Sequence, residues 1–337
     1  MKYANFHQQD RLLNSPFELI DQHHTYNPTF TTRLLRSEFL QKNIEINTPD
    51  LNQGRAIEFD LFFDGQEEAS YINTSSYLIA SENPLINPLN ANVEYYKRFK
   101  KVFTWNKNFF NLPNVVPIYV PNKIEVQEFA RFKSRPIFAC LINANKLFKD
   151  PPAVDLYQER IHVIRWYEKH HRDLFALYGL GWSKPSPAFT PWGKITRRMG
   201  RLGSQLFDIK PFPSYKGEIE NKNDVYKLAK YAYCYENARD LPNYITEKIF
   251  DCFMSGCVPV YWGSNTINEH IPSNCYIDRR KFLSTAEVHQ YLESITESQY
   301  ELYQKNIYEF LVSPQCRKFK TETFASTIID NILLDIN

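Results

Sequence analysis

Residues 226–263 read YKLAKYAYCYENARDLPNYITEKIFDCFMSGCVPVYWG and carry the clearest pattern in the chain. They predict a strand over 231–235, a polar loop over 236–244, a helix over 246–255 and a buried strand over 258–262. A strand, a crossover helix and a second strand form a βαβ unit. The segment therefore predicts a parallel sheet and an α/β fold class.

The start of the predicted helix is a candidate ligand site. In an open parallel sheet, the loop 236–244 and the helix N-terminus lie beyond the carboxyl ends of the strands, where ligands bind. Free N–H groups and the helix dipole attract anions there, and Lys248 adds a full positive charge. A nucleotide diphosphate fits this place without a metal ion. The pattern is equally consistent with Glu247 and Lys248 as solvated charges of the first turn.

The chain of 337 residues is long enough for two domains, and its composition differs between its two parts. Residues 1–130 contain 12 Lys and Arg against 15 Asp and Glu, whereas 131–337 contain 28 against 23, and eight of the ten glycines lie from Gly179 onward. Alternating helical and apolar stretches predict two crossover-connected parallel sheets. The predicted helices are 28–41, 155–170 and 319–335, and the predicted strands are 44–46, 57–63, 77–80, 102–105, 115–120, 136–142 and 174–178.

Composition and missing motifs exclude several classes of protein. The net charge of +2 gives no reason to expect binding to nucleic acid or another polyelectrolyte. No window reaches the roughly 20 apolar residues of a membrane helix. The N-terminus has no apolar core of signal-peptide type, so we expect the protein to stay in the compartment in which it is made. The phosphate loop GxxxxGKS/T, the dinucleotide fingerprint GxGxxG and the metal-binding Asp-x-Asp pair are absent.

The cysteines and histidines do not predict a metal site. The six cysteines have no CxxC spacing, and we expect them to be buried free thiols. The histidine pairs 23–24 and 170–171 lack the i, i+4 spacing of a helical metal site, so zinc is not expected.

The same stretch carries a family resemblance. From Tyr235 onward, YENARDLPNYITEKIFDCFMSGCVPVYWGS resembles the signature of the α-1,3/α-1,4-fucosyltransferase family, glycosyltransferase family 10. A looser likeness covers 159–171 and the following YGLGW, which resemble the arginine-containing helix and turn of the family. Residues 77–90, YLIASENPLINPLN, resemble the segment that carries its general base. The match is best in the donor half of the chain.

This resemblance implies a GT-B fold, in which two Rossmann-like domains face each other across a cleft and C-terminal helices pack on the core. Residues 1–132 would form the acceptor-side domain and 133–337 the donor domain, which binds a GDP-sugar. The implied reaction is the inverting transfer of L-fucose from GDP-β-L-fucose to an oligosaccharide acceptor, without a metal or a tightly bound cofactor. The implied acceptor is a GlcNAc-type sugar of a surface glycan such as a lipopolysaccharide O-antigen, joined through an α-1,3 or α-1,4 linkage.

Two alternatives to this function stay open. The same scaffold could use another nucleotide sugar, because the Thr-Glu-Lys motif at 246–248 defines the phosphate end of a donor better than the sugar end. The chain could also be a non-catalytic glycan-binding protein on a degenerate transferase fold.

Two carboxylates are candidates for catalysis under the resemblance. Glu82 stands at the place of the family's general base, which takes the proton of the attacking acceptor hydroxyl. Glu82 can also be a loop carboxylate beside Asn83. Glu247 resembles the glutamate that contacts donor hydroxyls, and it could steady oxocarbenium character at the anomeric carbon.

Four further residues match donor contacts of the family. Arg160 and Lys248 correspond to the arginine and the lysine that neutralise the departing diphosphate, although Arg160 can equally be a surface helix residue. Asn237 and Tyr244 match further donor contacts, and for Tyr244 packing in the core is an equal alternative.

A run of basic residues between positions 194 and 201, together with the N-terminus, bears on where in the cell the protein is found. The run could approach donor phosphates or an anionic membrane surface, but a solvated face is the default. Without the spanning helix of its plant and vertebrate relatives, the chain resembles a soluble bacterial-type member. We therefore expect a cytoplasmic protein, with peripheral contact at the inner membrane as an alternative. The run comprises Lys194, Arg197, Arg198 and Arg201.

Overall fold

The structure of the chain, a computed structural model, describes residues 1–18, 29–67, 72–189, 198 and 210–336. The chain divides into two compact units, and each contains a six-stranded parallel sheet. This confirms the predicted α/β class with two Rossmann-like domains. The first unit comprises Met1–Lys123, Pro242–Tyr244 and Cys316–Asn337, and the second comprises Ile124–Leu241 and Ile245–Gln315.

The described ranges contain twelve β-strands, all of which belong to the two sheets, and eight α-helices. Strands β1 to β12 are, in order, Lys2–Gln8, Ile44–Asn47, Ile57–Phe63, Ser76–Ala80, Lys101–Thr104, Val115–Pro117, Ile137–Ile142, Phe175–Tyr178, Tyr215–Gly217, Ala229–Tyr235, Val258–Trp262 and Ile277–Asp278. Helices α1 to α8 are Phe30–Gln41, Val93–Tyr96, Tyr157–His170, Lys222–Tyr226, Glu247–Met254, Thr285–Ser294, Glu297–Val312 and Thr321–Ile336. Within the described ranges, none of the helices combines the length and the apolar character that crossing a membrane requires.

The first sheet has the strand order β2-β1-β3-β4-β5-β6, and all its pairings are parallel. Its main core lies on the face that α1 and α8 cover. Ile328 and Ile332 stand one turn apart on α8 and are buried in the same cluster as Ala4 and Phe6 of β1. The sequence did not predict β1, although this strand lies inside the sheet.

The last helix, α8, belongs to the first unit. The hydroxyl of Tyr77 donates to Asp335 Oδ2 at 3.2 Å, and Lys101 Nζ lies 3.1 Å from the same oxygen. The sequence placed the C-terminal helices with 133–337, whereas the first unit includes α8 and its N-terminal stretch ends at Lys123. An apolar helix face predicts that a helix packs, but it does not say on which sheet.

The second sheet has the order β12-β11-β10-β7-β8-β9 and is also parallel throughout. From β7 the chain continues to β8 and β9 on one side, and it returns to β10 on the other side. The direction of strand addition therefore reverses between β7 and β10, and in such sheets ligands bind beyond the carboxyl ends of the strands at the reversal. Helix α5 follows β10, so its N-terminus lies at this edge, as the βαβ pattern predicted.

Helix α5 ends at Met254, and Gly256 follows its C-cap residue. This glycine has a φ of +62°, the left-handed backbone conformation that commonly ends a helix. A Cβ at this position would lie 2.4 Å from the ring of Phe129. The close approach and the backbone conformation both require glycine here.

Candidate active site

The N-terminus of α5 is fixed by a carboxylate from outside the helix. Glu236 follows β10 directly and is fully buried. Its Oε1 accepts the backbone N–H of Thr246 at 2.8 Å, and its Oε2 accepts the hydroxyl of Thr246 at 2.7 Å. Thr246 occupies the N-cap position of α5, but its side chain makes no capping bond to the helix. Glu236 therefore joins the end of β10 to the start of α5.

Lys248 lies within this arrangement. Its Nζ donates to Thr246 Oγ1 at 2.9 Å and lies 3.1 Å from Glu236 Oε2. The same ammonium group lies 3.6 Å from Glu247 Oε1. A cation is thus held in the first turn of α5, where the helix dipole also favours an anionic ligand.

Glu247 is flanked by two lysines. Its Oε1 lies 3.6 Å from Lys248 Nζ and 3.9 Å from Lys222 Nζ. Burial opposes the charge of this carboxyl group, but the two ammonium groups, Lys248 before Lys222, outweigh that effect and lower the pKa of Glu247 to about 2. At neutral pH Glu247 is therefore ionised, which suits it to accepting hydrogen bonds and stabilising positive charge rather than to donating a proton.

Arg160 reaches the same sheet edge from α3. Its side chain is buried, and its Nη2 donates to the carbonyl oxygens of Tyr235 and Glu236 at 2.6 and 2.8 Å and to Asn237 Oδ1 at 3.1 Å. Its guanidinium also lies 4.8 Å from the ring centroid of Tyr157. The structure thus brings Arg160 and Asn237 together at the end of β10. It shows a buried arginine rather than a surface one.

A glycine after β11 leaves room for the buried glutamate. A Cβ at Gly263 would lie 2.4 Å from Glu236 Cγ and 2.5 Å from the hydroxyl of Tyr261. The carbonyl of Gly263 accepts the N–H of Asp240 at 3.0 Å, so this position also fixes the loop after β10. The glycine that ends the sequence VPVYWG is therefore part of the geometry of the site.

Five of the buried polar atoms that lack a hydrogen-bond partner among the described residues lie at the same edge of the second sheet. Most buried polar groups have a partner in protein or water, so such atoms indicate where a ligand or water binds. Burial also raises the pKa of Asp155, one of these residues. Sequence reasoning named none of them. They are Asn143 Oδ1 and Asn145 Oδ1 after β7, Asp155 Oδ2 before α3, the hydroxyl of Tyr235 at the end of β10, and Arg279 Nε after β12.

Glu82 lies in the first unit, just beyond the carboxyl end of β4. Asp64, which follows β3, accepts the N–H groups of Ser81 and Glu82, each at 2.8 Å. Asn90 donates to Asp64 Oδ1 at 2.7 Å and to the carbonyl of Glu82 at 3.1 Å. The carboxylate of Glu82 itself accepts the N–H of Asn83 at 2.7 Å. The half-buried Glu82 is thus carried by a loop whose backbone is tightly held.

Tyr244 is also assigned to the first unit and is buried there. Its ring packs against Trp105, with the ring centroids 4.8 Å apart. Trp105 in turn donates from Nε1 to the carbonyl of Ser81 at 2.7 Å. Tyr244 therefore has a packing role next to the loop that carries Glu82, and its predicted contact with a donor stays a prediction.

The basic run of the sequence has little structural counterpart. Of the basic run, Lys194, Arg197 and Arg201 lie outside the described residues, and Arg198 is exposed. In the part of the chain that the structure describes, no group of three or more His, Cys, Asp or Glu is placed to hold a metal ion.

Residues 201–323 match the sequence model of a family described as glycosyltransferase family 10 (fucosyltransferase) C-term. The match includes Glu236, Glu247, Lys248 and both ends of α5. We refer to the matched residues as the family 10 domain. The predicted family is therefore confirmed for this part of the chain.

Relatives of the family 10 domain resemble the chain in sequence or in structure. An α-(1,3)-fucosyltransferase of Helicobacter pylori is 29% identical over 75 residues, which are 22% of this chain and only 16% of that protein. A solved α1,3-fucosyltransferase superposes with a TM-score of 0.57 at 12% identity, covering 98% of this chain and 89% of its own. An α1,3-fucosyltransferase structure with GDP-fucose superposes at 0.53 and 13% identity, covering 98% and 90%. At these identities, the solved structures show the shared fold alone.

Proposed function

We propose that the protein is an inverting fucosyltransferase. It transfers L-fucose from GDP-β-L-fucose to a hydroxyl of a GlcNAc-type sugar in a surface glycan such as a lipopolysaccharide O-antigen, through an α-1,3 or α-1,4 linkage. The observation that carries this proposal is the pair Glu247 and Lys248, held beside each other at the N-terminus of α5 within the family 10 domain. A solved fucosyltransferase of similar fold holds GDP-fucose, which supports the choice of donor.

The second unit would bind the donor. Free N–H groups of α5, the Lys248 ammonium and the Arg160 guanidinium would face the diphosphate, and Asn237 would contact the rest of the donor. The buried polar atoms without a partner at the same sheet edge would form further hydrogen bonds with the nucleotide. This set of cations and N–H groups neutralises a diphosphate without a metal ion.

The first unit would bind the acceptor and supply the base. In the proposed step, the Glu82 carboxylate takes the proton of the acceptor hydroxyl while the hydroxyl oxygen forms a bond to C1 of fucose. The bond between C1 and the diphosphate oxygen breaks on the opposite face, and its electron pair leaves with GDP. Lys248 stabilises the growing charge on GDP, and the ionised Glu247 stabilises positive charge on the sugar.

A GDP-release assay with GDP-fucose and a panel of GlcNAc-containing acceptors tests the proposal. We expect acceptor-dependent release in the unmodified protein and a loss of roughly 100-fold or more in kcat for Glu82→Gln. Glu94→Gln, a change at an exposed residue of α2, is the matched control and should retain full activity. No release with any acceptor would contradict the proposal, and full turnover by Glu82→Gln would contradict the choice of base.

A thermal-shift series separates fucose from other sugars. A ligand that binds only the folded state raises Tm according to its concentration and affinity. We expect GDP-fucose to stabilise the protein more than GDP-mannose or UDP-sugars at equal concentration. A larger shift with another nucleotide sugar would favour the same scaffold acting on that donor.

A further inference from the structure

Lys222 contacts Glu247 from a helix that no sequence pattern connected with the site. It is the first residue of α4, which precedes β10 in the chain and packs beside α5. Its Nζ donates to Asp251 Oδ2 at 2.8 Å. Asp251 stands on α5 one turn after Glu247, so the two carboxylates lie on the same side of the helix.

The ammonium of Lys222 also faces Glu247. It lies 3.9 Å from Glu247 Oε1, the same oxygen that lies 3.6 Å from Lys248 Nζ. Two cations from different helices therefore converge on one oxygen of this carboxylate. Such an arrangement limits rotation of the carboxylate.

We propose that Lys222, anchored by Asp251, is a positioning residue that holds the Glu247 carboxylate in the orientation in which it contacts the sugar of the donor. This inference rests on the proposed function, because it assigns the donor sugar to Glu247. Lys222 itself need not touch the donor.

The charges around Glu247 explain why this lysine matters. Five side chains form a row in which the sign of the charge alternates: Asp251, Lys222, Glu247, Lys248 and Glu236. Neighbouring pairs in this row lie, in the same order, 2.8, 3.9, 3.6 and 3.1 Å apart. Without Lys222, two carboxylates one turn apart would face each other with no cation between them. Their repulsion would turn the Glu247 side chain and favour its protonation, because like charges raise the pKa of a carboxyl group.

Three variants of the full chain test the role of Lys222. Lys222→Gln retains a donor for Asp251 but removes the charge, and Lys222→Arg restores the charge. Lys227→Gln makes the same change as the first variant at the exposed end of the same helix, so it is the matched control. Circular dichroism establishes that each variant folds. If Lys222→Gln does not fold, Lys222→Met, which also removes the charge, replaces it.

The first measurement is the pH profile of kcat/KM for GDP-fucose. We expect Lys222→Gln to lower kcat/KM by roughly 10- to 100-fold, while the acid limb of the profile, which ionisation of the base Glu82 sets, keeps its position. Lys222→Arg should recover most of the activity, and Lys227→Gln should match the unmodified protein. An unchanged kcat/KM in Lys222→Gln would overturn the proposal.

The second measurement does not depend on the proposed function. In protein labelled with ¹³C at the glutamate carboxyl carbons, the Glu247 signal is assigned by its loss in Glu247→Gln and then titrated without donor. We expect its midpoint to rise in Lys222→Gln and to stay unchanged in Lys227→Gln. If the unmodified protein releases no GDP, the proposed function fails, and this titration still decides about Lys222. An unmoved midpoint would overturn the role of Lys222 in either case.

Discussion

Glu236 accepts both hydrogen-bond donors of Thr246, the backbone N–H at 2.8 Å and the hydroxyl at 2.7 Å. Because Glu236 is fully buried and also pairs with Lys248, one carboxylate determines where α5 begins and where its first cation stands. A helix of eight residues is too short to be stable alone, so its position depends on such contacts.

Replacing Glu236 with Gln tests this dependence. The amide keeps one acceptor oxygen for Thr246 but removes the charge that meets Lys248. We expect a loss of about 2 kcal/mol in the free energy of unfolding, measured with urea, and a roughly tenfold weaker affinity for GDP by calorimetry, equal to about 1.4 kcal/mol. Glu301→Gln, at an exposed position of α7, should change neither quantity. Unchanged GDP affinity in Glu236→Gln would show that Lys248 is positioned by other contacts.

Arg135 should be important for the stability of the second unit. It is 1% exposed, and its guanidinium donates to the carbonyls of Ala130, Tyr226, Ala229 and Ser255 at 2.7 to 3.0 Å. Arg135→Met would leave these buried acceptors unpaired, so we expect the free energy of unfolding to fall by about 3 kcal/mol or more in urea titrations. Arg172→Met, at an exposed site, should stay within about 0.5 kcal/mol of the unmodified protein.

The thiols of the folded protein should be inert. All six cysteines are free and buried, as the sequence predicted. Burial raises the pKa of the thiols of Cys140, Cys234 and Cys252, and it raises the pKa of Cys316 to about 12, so little reactive thiolate is present at neutral pH. We expect an aromatic disulfide reagent to titrate no thiol rapidly in buffer and all six in denaturant. Rapid reaction of a thiol in the folded protein would contradict the burial of that cysteine.

Stability should fall on mild acidification because of His289. Its ring is buried, and burial, together with His171 at 4.0 Å between ring centroids, lowers the pKa of His289 against the opposing effect of Glu293. The unfolded chain then binds the proton more readily, so this contribution is complete above about pH 6.5 and is lost as the pH falls toward the lower pKa of the folded state.

Urea unfolding at about pH 7.5 and about pH 5.5 measures this effect. His289→Gln, which cannot titrate, should reduce the difference in the free energy of unfolding between the two pH values. His162→Gln, at a side chain that is 64% exposed, should leave the difference unchanged. An equal pH dependence in His289→Gln and the unmodified protein would contradict the role of His289.

The βαβ segment could be predicted closely because its pattern changes from strand to helix and back within forty residues. Strand β11 has the predicted bounds, and α5 differs by one residue at each end. Strand β1 could not be predicted in the same way. Its residues Asn5 and His7 carry polar side chains, which pair with Asp60 at 2.9 and 2.7 Å across the sheet instead of forming an apolar stripe.

Only part of the candidate site could be predicted from the sequence, for a similar reason. Glu247 and Lys248 stand in a recognisable motif, whereas Lys222 reaches them from another helix through distances that no local pattern encodes. Glu236 did leave a signal, since an acidic residue directly after a fully buried strand needs a partner. That partner, Thr246, is visible only once the chain is folded.

The place of α8 in the first unit has a consequence for biosynthesis. The core of that unit combines β1 near the start of the chain with Ile328 and Ile332 near its end. The second unit is formed by an inner stretch that ends at Gln315. All residues of the second unit are therefore synthesised before α8, one of the helices that cover the first sheet. Strand β1 is translated before the second unit and before α8, so its sheet is completed only after the second unit has been made, and removal of α8 would damage the first unit.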